Sequence, residues 1–243
     1  MREVTPMRTR RPYDPEERDP GLAAFRRTAI RLHPRPGDPG SADSSVGGPL
    51  LWPAGETWPV CEGAAHDDKP FATVAVARRE RRLVAARNQA KARGEDPAPV
   101  EESLAELRAA RRERSGQAPS PQPLIGVAQL YARDAPGLPY PDGTDLLQIL
   151  WCPYSHPDGD DLPLVRVVWR ASGAVGRALA DPSPGTMTGD PAYVPQTCTV
   201  SPEVLAEYPP THTAGVPLPP ELRDYDDSWS LADGWKAGGW GNY

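Results

Sequence analysis

The chain of 243 residues has few of the features that indicate a disulfide framework or a membrane protein. Its three cysteines, Cys61, Cys152 and Cys198, are too few and too scattered for such a framework, and their odd number favours a reducing compartment. No uncharged apolar run approaches the roughly 18 residues of a membrane span, and the first twenty residues lack the apolar region of a secretory signal. We therefore predict a soluble, cytoplasmic protein that does not bind membranes.

The chain also has no excess of positively charged residues. The chain has 27 Lys and Arg residues against 33 Asp and Glu residues, a net charge of -6, so nucleic acid is an unlikely overall partner. Basic residues are concentrated in the segment from Arg78 to Arg114. Its charges are mixed in sign and no aromatic residues are interleaved for base stacking, which favours a solvated helical face. Contact of this segment with a partner or with nucleic acid is kept as an alternative.

The sequence motifs of common enzymes are missing as well. There is no GxxxxGK, HExxH or GxSxG motif, and no GxGxxG motif follows a predicted strand. No thiol or carboxylate stands in a context that marks it as activated. We therefore assign no catalytic residue, and the balance is against an enzyme.

The chain is instead rich in proline (32) and glycine (22), scattered among short apolar runs. Residues 28–33, 124–131, 144–151 and 164–170 have the branched and aromatic composition of strands, and turn residues bound them. The short connections favour antiparallel pairing. The predicted fold class is α+β, mainly antiparallel β-sheet with short helices.

A helical hairpin is predicted within this sheet protein at residues 74–118. The segment is rich in Ala, Arg, Glu and Leu, and the stretch from Gly94 to Pro99 interrupts it. We expect a disordered segment at residues 1–19 and a single domain at residues 20–243. Near the C-terminal end, Ser201 and Pro202 are typical of a helix start, so residues 201–208 are predicted to be helical.

Two Trp-Pro pairs lie in the stretch SSVGGPLLWPAGETWPVC, residues 44–61. Trp52 and Trp58 on a proline-stiffened loop could form an exposed aromatic platform for a ligand or a partner. Alternatively, both indoles fold back and close the core, and the sequence favours this second interpretation.

The best metal-ligand candidate is the pair Cys152 and His156, which could share a zinc ion. Zinc sites usually require a second ligand pair, such as another CxxC, and no such motif is present. We therefore predict no metal ion and no cofactor. A metal- or thiol-dependent enzyme centred on Cys152 and His156 stays as an alternative function.

The order of several motifs resembles the YwqG-like family of bacterial proteins of unknown function. These motifs are residues 44–53, Trp58-Pro59, the apolar strand ending at Gln129, and the turn at 139–143 before Gln148. The segment Lys236 to Trp240 resembles the second Gly-Gly-Trp motif of the family. In the family this motif leads into a further set of strands, which would lie beyond residue 243. The resemblance implies kinship without an established reaction, and a domain truncated at its C-terminus. We accordingly expect residues 233–243 to be frayed or packed as an incomplete half.

Taken together, these patterns favour a non-catalytic binding or interaction module. The partner would be an unidentified protein. Six residues drawn from the family-like motifs are the candidate binding residues: Gly47, Gly48, Trp52, Trp58, Gln129 and Gln148.

Overall fold

The computed structural model describes residues 14–62, 66, 72–112, 121–156, 163–180, 185–210, 213, 231 and 233–241. The chain has three α-helices in this part, α1 (Pro15–Arg18), α2 (Val74–Arg93) and α3 (Ala98–Arg112), and short 3-10 helices at Pro20–Phe25, Ser172–Ala174 and Pro191–Tyr193. Its strands are β1 (Arg27–Arg31), β2 (Arg35–Pro36), β3 (Ser45–Val46), β4 (Val60–Cys61), β5 (Ala72–Thr73), β6 (Gln122–Pro123), β7 (Ile125–Tyr131), β8 (Leu146–Trp151), β9 (Val165–Arg170), β10 (Met187–Thr188), β11 (Cys198–Thr199), β12 (Glu203–Glu207) and β13 (Lys236–Gly238).

The predicted α+β class is confirmed, because helices and antiparallel sheets both contribute substantially to the structure. The chain forms two compact units, one of residues 1–35, 131–141 and 200–243 and the other of residues 36–130 and 142–199. None of the described helices is long and apolar enough to cross a membrane.

The first unit contains a three-stranded sheet in the order β12-β1-β13. Both outer strands run antiparallel to β1, so this strand pairs on both sides. The helix predicted at residues 201–208 is wrong, because Glu203–Glu207 is strand β12. Its five residues pair with all five residues of β1, and the backbone hydrogen bonds of this ladder outweigh the helix-start signals of Ser201 and Pro202.

The C-terminal end of the described chain also belongs to this unit. Strand β13 pairs with β1, and the indole N–H of Trp240 donates to the carbonyl of Phe25 over 2.9 Å. Residues 236–240 are therefore held by the sheet and are not frayed. Of the predicted disordered segment, residues 1–13 lie outside the described part, and Pro15–Arg18 forms a single helical turn capped by Asp14.

The second unit contains the six-stranded sheet β2-β11-β3-β7-β8-β9 and two small sheets, β10-β5 and β4-β6. Strand β7 is buried along its whole length, as expected for the centre of a sheet with both faces covered. The main apolar core lies beside β8 and includes Leu50, Trp52, Leu124 and Leu150. This core also contains two of the three cysteines.

The helical hairpin is present in this unit as predicted. Helix α2 starts at the Thr73 cap, whose hydroxyl accepts from the Val76 N–H, and ends at Gly94 in the left-handed conformation. Arg78 ties the first turns of α2 to the body by donating to the carbonyls of Gly47 (2.8 Å) and Pro195 (3.2 Å). Arg81 in turn donates to the Val194 carbonyl. Two arginines of the basic segment therefore hold the helix in place, and residues 113–118 lie outside the described part.

Candidate metal centre

Two cysteines and two histidines converge at the edge of the apolar core of the second unit. Cys61 is the last residue of β4, which pairs with β6 in the register Cys61↔Gln122, and its side chain is buried. His66 follows in the next connection. Its ring stacks on Tyr154, with 4.8 Å between ring centroids. These contacts place the Cys61 sulfur and the His66 imidazole side by side.

The other two members lie directly after β8. The Cys152 N–H donates to the Leu164 carbonyl over 2.9 Å, so the antiparallel ladder fixes the backbone of this cysteine. The carbonyl of the next residue, Pro153, accepts from the Gly189 N–H at 3.0 Å and from the Thr188 hydroxyl at 3.1 Å. These bonds hold the tight turn that brings His156 back against the two sulfurs.

The four ligand atoms all lie within 4.8 Å of one another. Cys61 Sγ is 3.6 Å from His156 Nε2, and Cys152 Sγ is 3.3 Å from His66 Nε2. In a tetrahedral zinc site with Zn–S of about 2.3 Å and Zn–N of about 2.05 Å, a sulfur and a nitrogen are about 3.6 Å apart. Both sulfur–nitrogen pairs therefore already have nearly the separation that a shared zinc ion requires.

The chemistry of this donor set also suits a metal ion. Burial, and secondarily the nearby Cys61 thiol, raise the pKa of Cys152 to about 12. A thiol with so high a pKa is protonated at neutral pH and is a poor nucleophile. A cation bound between the two sulfurs reverses this preference, because a coordinated thiol is deprotonated.

The sequence pattern identified one half of this cluster and missed the other. Cys152 and His156 were the candidate pair, and the expectation of no metal was based on the lack of a second pair. The structure supplies one in Cys61 and His66. The signal for it was the Cys-x4-His spacing, similar to the Cys-x3-His spacing of the first pair.

The tryptophans of the two Trp-Pro pairs lie next to this cluster. Trp52 belongs to the core and is only 2% exposed, which agrees with the core-closing interpretation for this residue. Trp58 packs on it with 5.2 Å between ring centroids and donates its indole N–H to the Leu124 carbonyl at 2.8 Å. Both tryptophans line a cleft of about 480 Å³, and Trp58, which is half-buried, is the more exposed of the two.

The candidate binding residues Gln129 and Gln148 are buried on neighbouring strands. Gln148 Nε2 donates to Gln129 Oε1 (2.9 Å) and to the Leu51 carbonyl (3.0 Å), while the Leu51 N–H donates to Gln129 Oε1 (2.7 Å). Arg170 Nε donates to Gln148 Oε1 at 3.1 Å. These side chains cross-link β7, β8 and the Trp-Pro stretch from within the fold.

Gly47 and Gly48 lie at the end of β3. Gly47 has a φ of 63°, and a Cβ atom there would be 2.5 Å from the carbonyl oxygen of Gln196. Only glycine fits this close backbone approach. The six candidate binding residues thus lie together in one unit and are in positions that maintain its structure, and the two tryptophans also line the cleft.

No protein-family profile matches the chain, and no curated protein is significantly similar to it. The resemblance to the YwqG-like family therefore stays a prediction from the order of motifs.

Proposed function

We propose that this chain is a zinc-binding protein whose ion has a structural role, and that it functions as a non-catalytic binding module. The convergence of Cys61, His66, Cys152 and His156 within 4.8 Å is the observation that supports the proposal. Zinc sites of this Cys2His2 composition are tetrahedral and generally structural.

The donor set favours zinc over other ions. Two thiolates select soft or borderline metals and disfavour magnesium and calcium, which prefer oxygen ligands. Two thiolates combined with two imidazoles suit tetrahedral zinc better than the square-planar nitrogen and oxygen sites of Cu(II) or Ni(II).

A structural role follows from the number and the burial of the ligands. Catalytic zinc ions usually have three protein ligands and one open position, whereas the four side chains here would fill the coordination sphere. Cys61 and Cys152 also belong to the apolar core, together with Leu50 and Leu124. The raised pKa of Cys152 argues in addition against the alternative of a thiol-dependent enzyme.

The experiment is metal analysis of protein purified without a histidine tag from zinc-supplemented medium. We expect about one zinc ion per chain in the wild type, as for a single four-ligand site, and a loss of most of it in Cys61→Ser and Cys152→Ser. Cys198→Ser is the matched control, because Cys198 is also a buried free cysteine but lies outside the cluster. Zinc-free wild-type protein, or full zinc occupancy in Cys152→Ser, would refute the proposal.

The proposal also includes the family relationship of the chain and its location in the cell. We propose that the chain is related to the YwqG-like proteins, because its motifs occur in the same order. We also propose that it is located in the cytoplasm. All three cysteines are free thiols, and a zinc–thiolate site persists best in a reducing compartment. The alternative of nucleic-acid contact through α2 is weakened because Arg78 and Arg81 already donate to backbone carbonyls.

A further inference from the structure

Strand β9 is the last strand of the six-stranded sheet on the side beyond β8. It pairs with β8 without a bulge, from Leu146↔Arg170 to Trp151↔Val165. The hydrogen bond from the Cys152 N–H to the Leu164 carbonyl sets the phase of this ladder. Because backbone groups alternate along a strand, the N–H and C=O of Arg166 and Val168 face β8, whereas those of Val165 and Val167 point away from it.

The side chains on this edge are unusually apolar. Within the described part of the chain, five large apolar residues are clearly exposed, and three of them are Leu164 (46%), Val165 (53%) and Val167 (52%). Natural edge strands are normally protected by lysine, proline or a bulge. Strand β9, with the sequence VRVVWR, has neither lysine nor proline, and its register is continuous. Its two arginines, Arg166 and Arg170, lie on the face opposite to Val165 and Val167, so they do not shield these valines.

We propose that the outer edge of β9 is the docking site for an extended peptide segment of another protein, which adds to the sheet as a further strand. In such an addition the main-chain hydrogen bonds provide affinity and alternate side chains provide specificity. This proposal is independent of the zinc site, because it uses backbone groups and side chains that are not ligands.

The chemistry of the partner follows from the two faces of the strand. Residues of the partner that lie beside Val165 and Val167 must be apolar. Residues on the opposite face lie beside Arg166, which is exposed and has no ion pair within 4 Å among the described residues, although its charge acts on Glu56 in the same cleft. Arg166 and Leu164 also line the cleft of about 480 Å³ that contains Trp58. The segment that fits is therefore apolar-acidic-apolar, with its carboxylate next to Arg166.

Charge also distinguishes this partner from a second copy of the chain. If two β9 edges paired antiparallel through their outward-pointing groups, both copies of Arg166 would lie on the same face of the joined sheet. Like charges near each other across strands are destabilising, whereas opposite charges are stabilising. An acidic segment therefore complements this edge better than β9 itself does.

The test uses the fluorescein-labelled peptide Thr-Val-Glu-Val-Thr-Val and the full-length protein, with binding followed by fluorescence anisotropy. We expect saturable binding that weakens at least about tenfold in Val167→Lys, since lysine on an edge blocks strand addition. The matched control is Val204→Lys, an exposed valine (57%) on strand β12 of the other unit, which should leave the affinity unchanged. A charge exchange adds specificity: Arg166→Glu should prefer the same peptide with Lys in place of Glu.

Amide hydrogen exchange, measured by NMR, identifies the mode of binding. On peptide binding, the amides of Val165 and Val167 should gain protection, while those of Arg166 and Val168, which already face β8, should change little. The absence of binding to wild-type protein at millimolar peptide would overturn the proposal, and so would equal affinity for Val167→Lys. Sedimentation that showed a dimer broken by Val167→Lys would instead assign the edge to a second copy.

Discussion

The Sγ atom of Cys152 lies 3.3 Å from the Nε2 atom of His66, although the two residues are 86 positions apart in the chain. The reciprocal pair, Cys61 and His156, is separated by 95 positions and by 3.6 Å. Each thiol thus faces the imidazole of the other sequence segment. A metal ion shared by the four side chains would cross-link β4 to the end of β8, and would therefore contribute to stability.

The first prediction concerns that contribution. A ligand that binds only the folded state raises the midpoint of thermal unfolding, so a strong chelator should lower the midpoint of the wild-type protein. In His66→Ala the chelator should change the midpoint much less, because one of four ligands is missing. His33→Ala is the control, since His33 is paired with Glu203 in the other unit and should retain the full chelator effect. Equal chelator effects in wild type and His66→Ala would contradict a role for His66 as a ligand.

Only half of this candidate site was predicted from the sequence, although the spacing of Cys61 and His66 is similar to that of Cys152 and His156. Cys152 and His156 are close in the chain, so their spacing alone suggested a ligand pair. Cys61 and His66 precede the helical hairpin, and their approach to the first pair depends on the pairing of β4 with β6 and on the end of β8. Long-range pairing of short strands leaves no local pattern in a single sequence.

The second prediction tests whether Gln148 maintains the fold. Its buried amide donates to the Leu51 carbonyl and to Gln129, and its oxygen accepts from Arg170. Gln148→Ala removes three hydrogen bonds of a fully buried amide, so we expect a loss of about 2–3 kcal/mol in the free energy of unfolding. Gln89→Ala, an exposed glutamine on α2, should cost less than about 0.5 kcal/mol. Urea denaturation measures both. If Gln148→Ala proved as stable as Gln89→Ala, the network would have to serve something other than stability.

The fold was more accessible to sequence reasoning than the site. The strand predicted at 164–170 is β9 within one residue at its start, and both helices of the hairpin lie inside the predicted segment. These elements carry strong local patterns of composition and periodicity. The wrong helix at residues 201–208 had equally good local signals, but β1 offered Glu203–Glu207 a complete antiparallel partner. Tertiary pairing of this kind overrides local propensity and cannot be seen in the segment itself.

The third prediction is a pH dependence that originates from Glu56. Its carboxylate accepts two hydrogen bonds from the Arg170 guanidinium, at 2.7 and 3.0 Å, and this bonding lowers the pKa of Glu56 despite an opposing effect of burial. Because the folded-state pKa lies below that of the unfolded chain, the pair stabilises the protein above the unfolded-state pKa. This stabilisation disappears as the pH falls through the folded-state pKa.

Glu56→Gln should therefore be less stable than the wild type at neutral pH, and the difference should shrink as the pH falls through the folded-state pKa of Glu56. Unfolding by urea at several pH values measures this change. Glu101→Gln is the matched control, because Glu101 pairs with Lys91 on the exposed hairpin and should change stability little at any pH. A difference between wild type and Glu56→Gln that stayed constant with pH would exclude the carboxylate–guanidinium pair as its source.

The fourth prediction concerns the Lys236 to Trp240 segment, which resembles a family entry motif. The carboxylate of Glu207 is fully buried, and it accepts from Lys236 Nζ at 2.7 and 2.9 Å and from the Trp240 N–H at 2.9 Å. Lys236→Met removes the two hydrogen bonds and the ion pair of Lys236 with this buried carboxylate, so it should cost about 3–5 kcal/mol. In contrast, Lys91→Met removes an exposed pair and should cost no more than about 1 kcal/mol.

Limited proteolysis distinguishes a local effect from a global one. If β13 is held to β1 mainly through the Glu207–Lys236 pair, Lys236→Met should be cleaved near residues 233–241 well before the strand β8 is attacked. Wild-type protein should resist cleavage at both places, because Trp240 and β13 are hydrogen-bonded within the first unit. Rapid cleavage of wild-type protein at residues 236–240 would instead show that this segment is frayed, which is one of the two states that its sequence suggested.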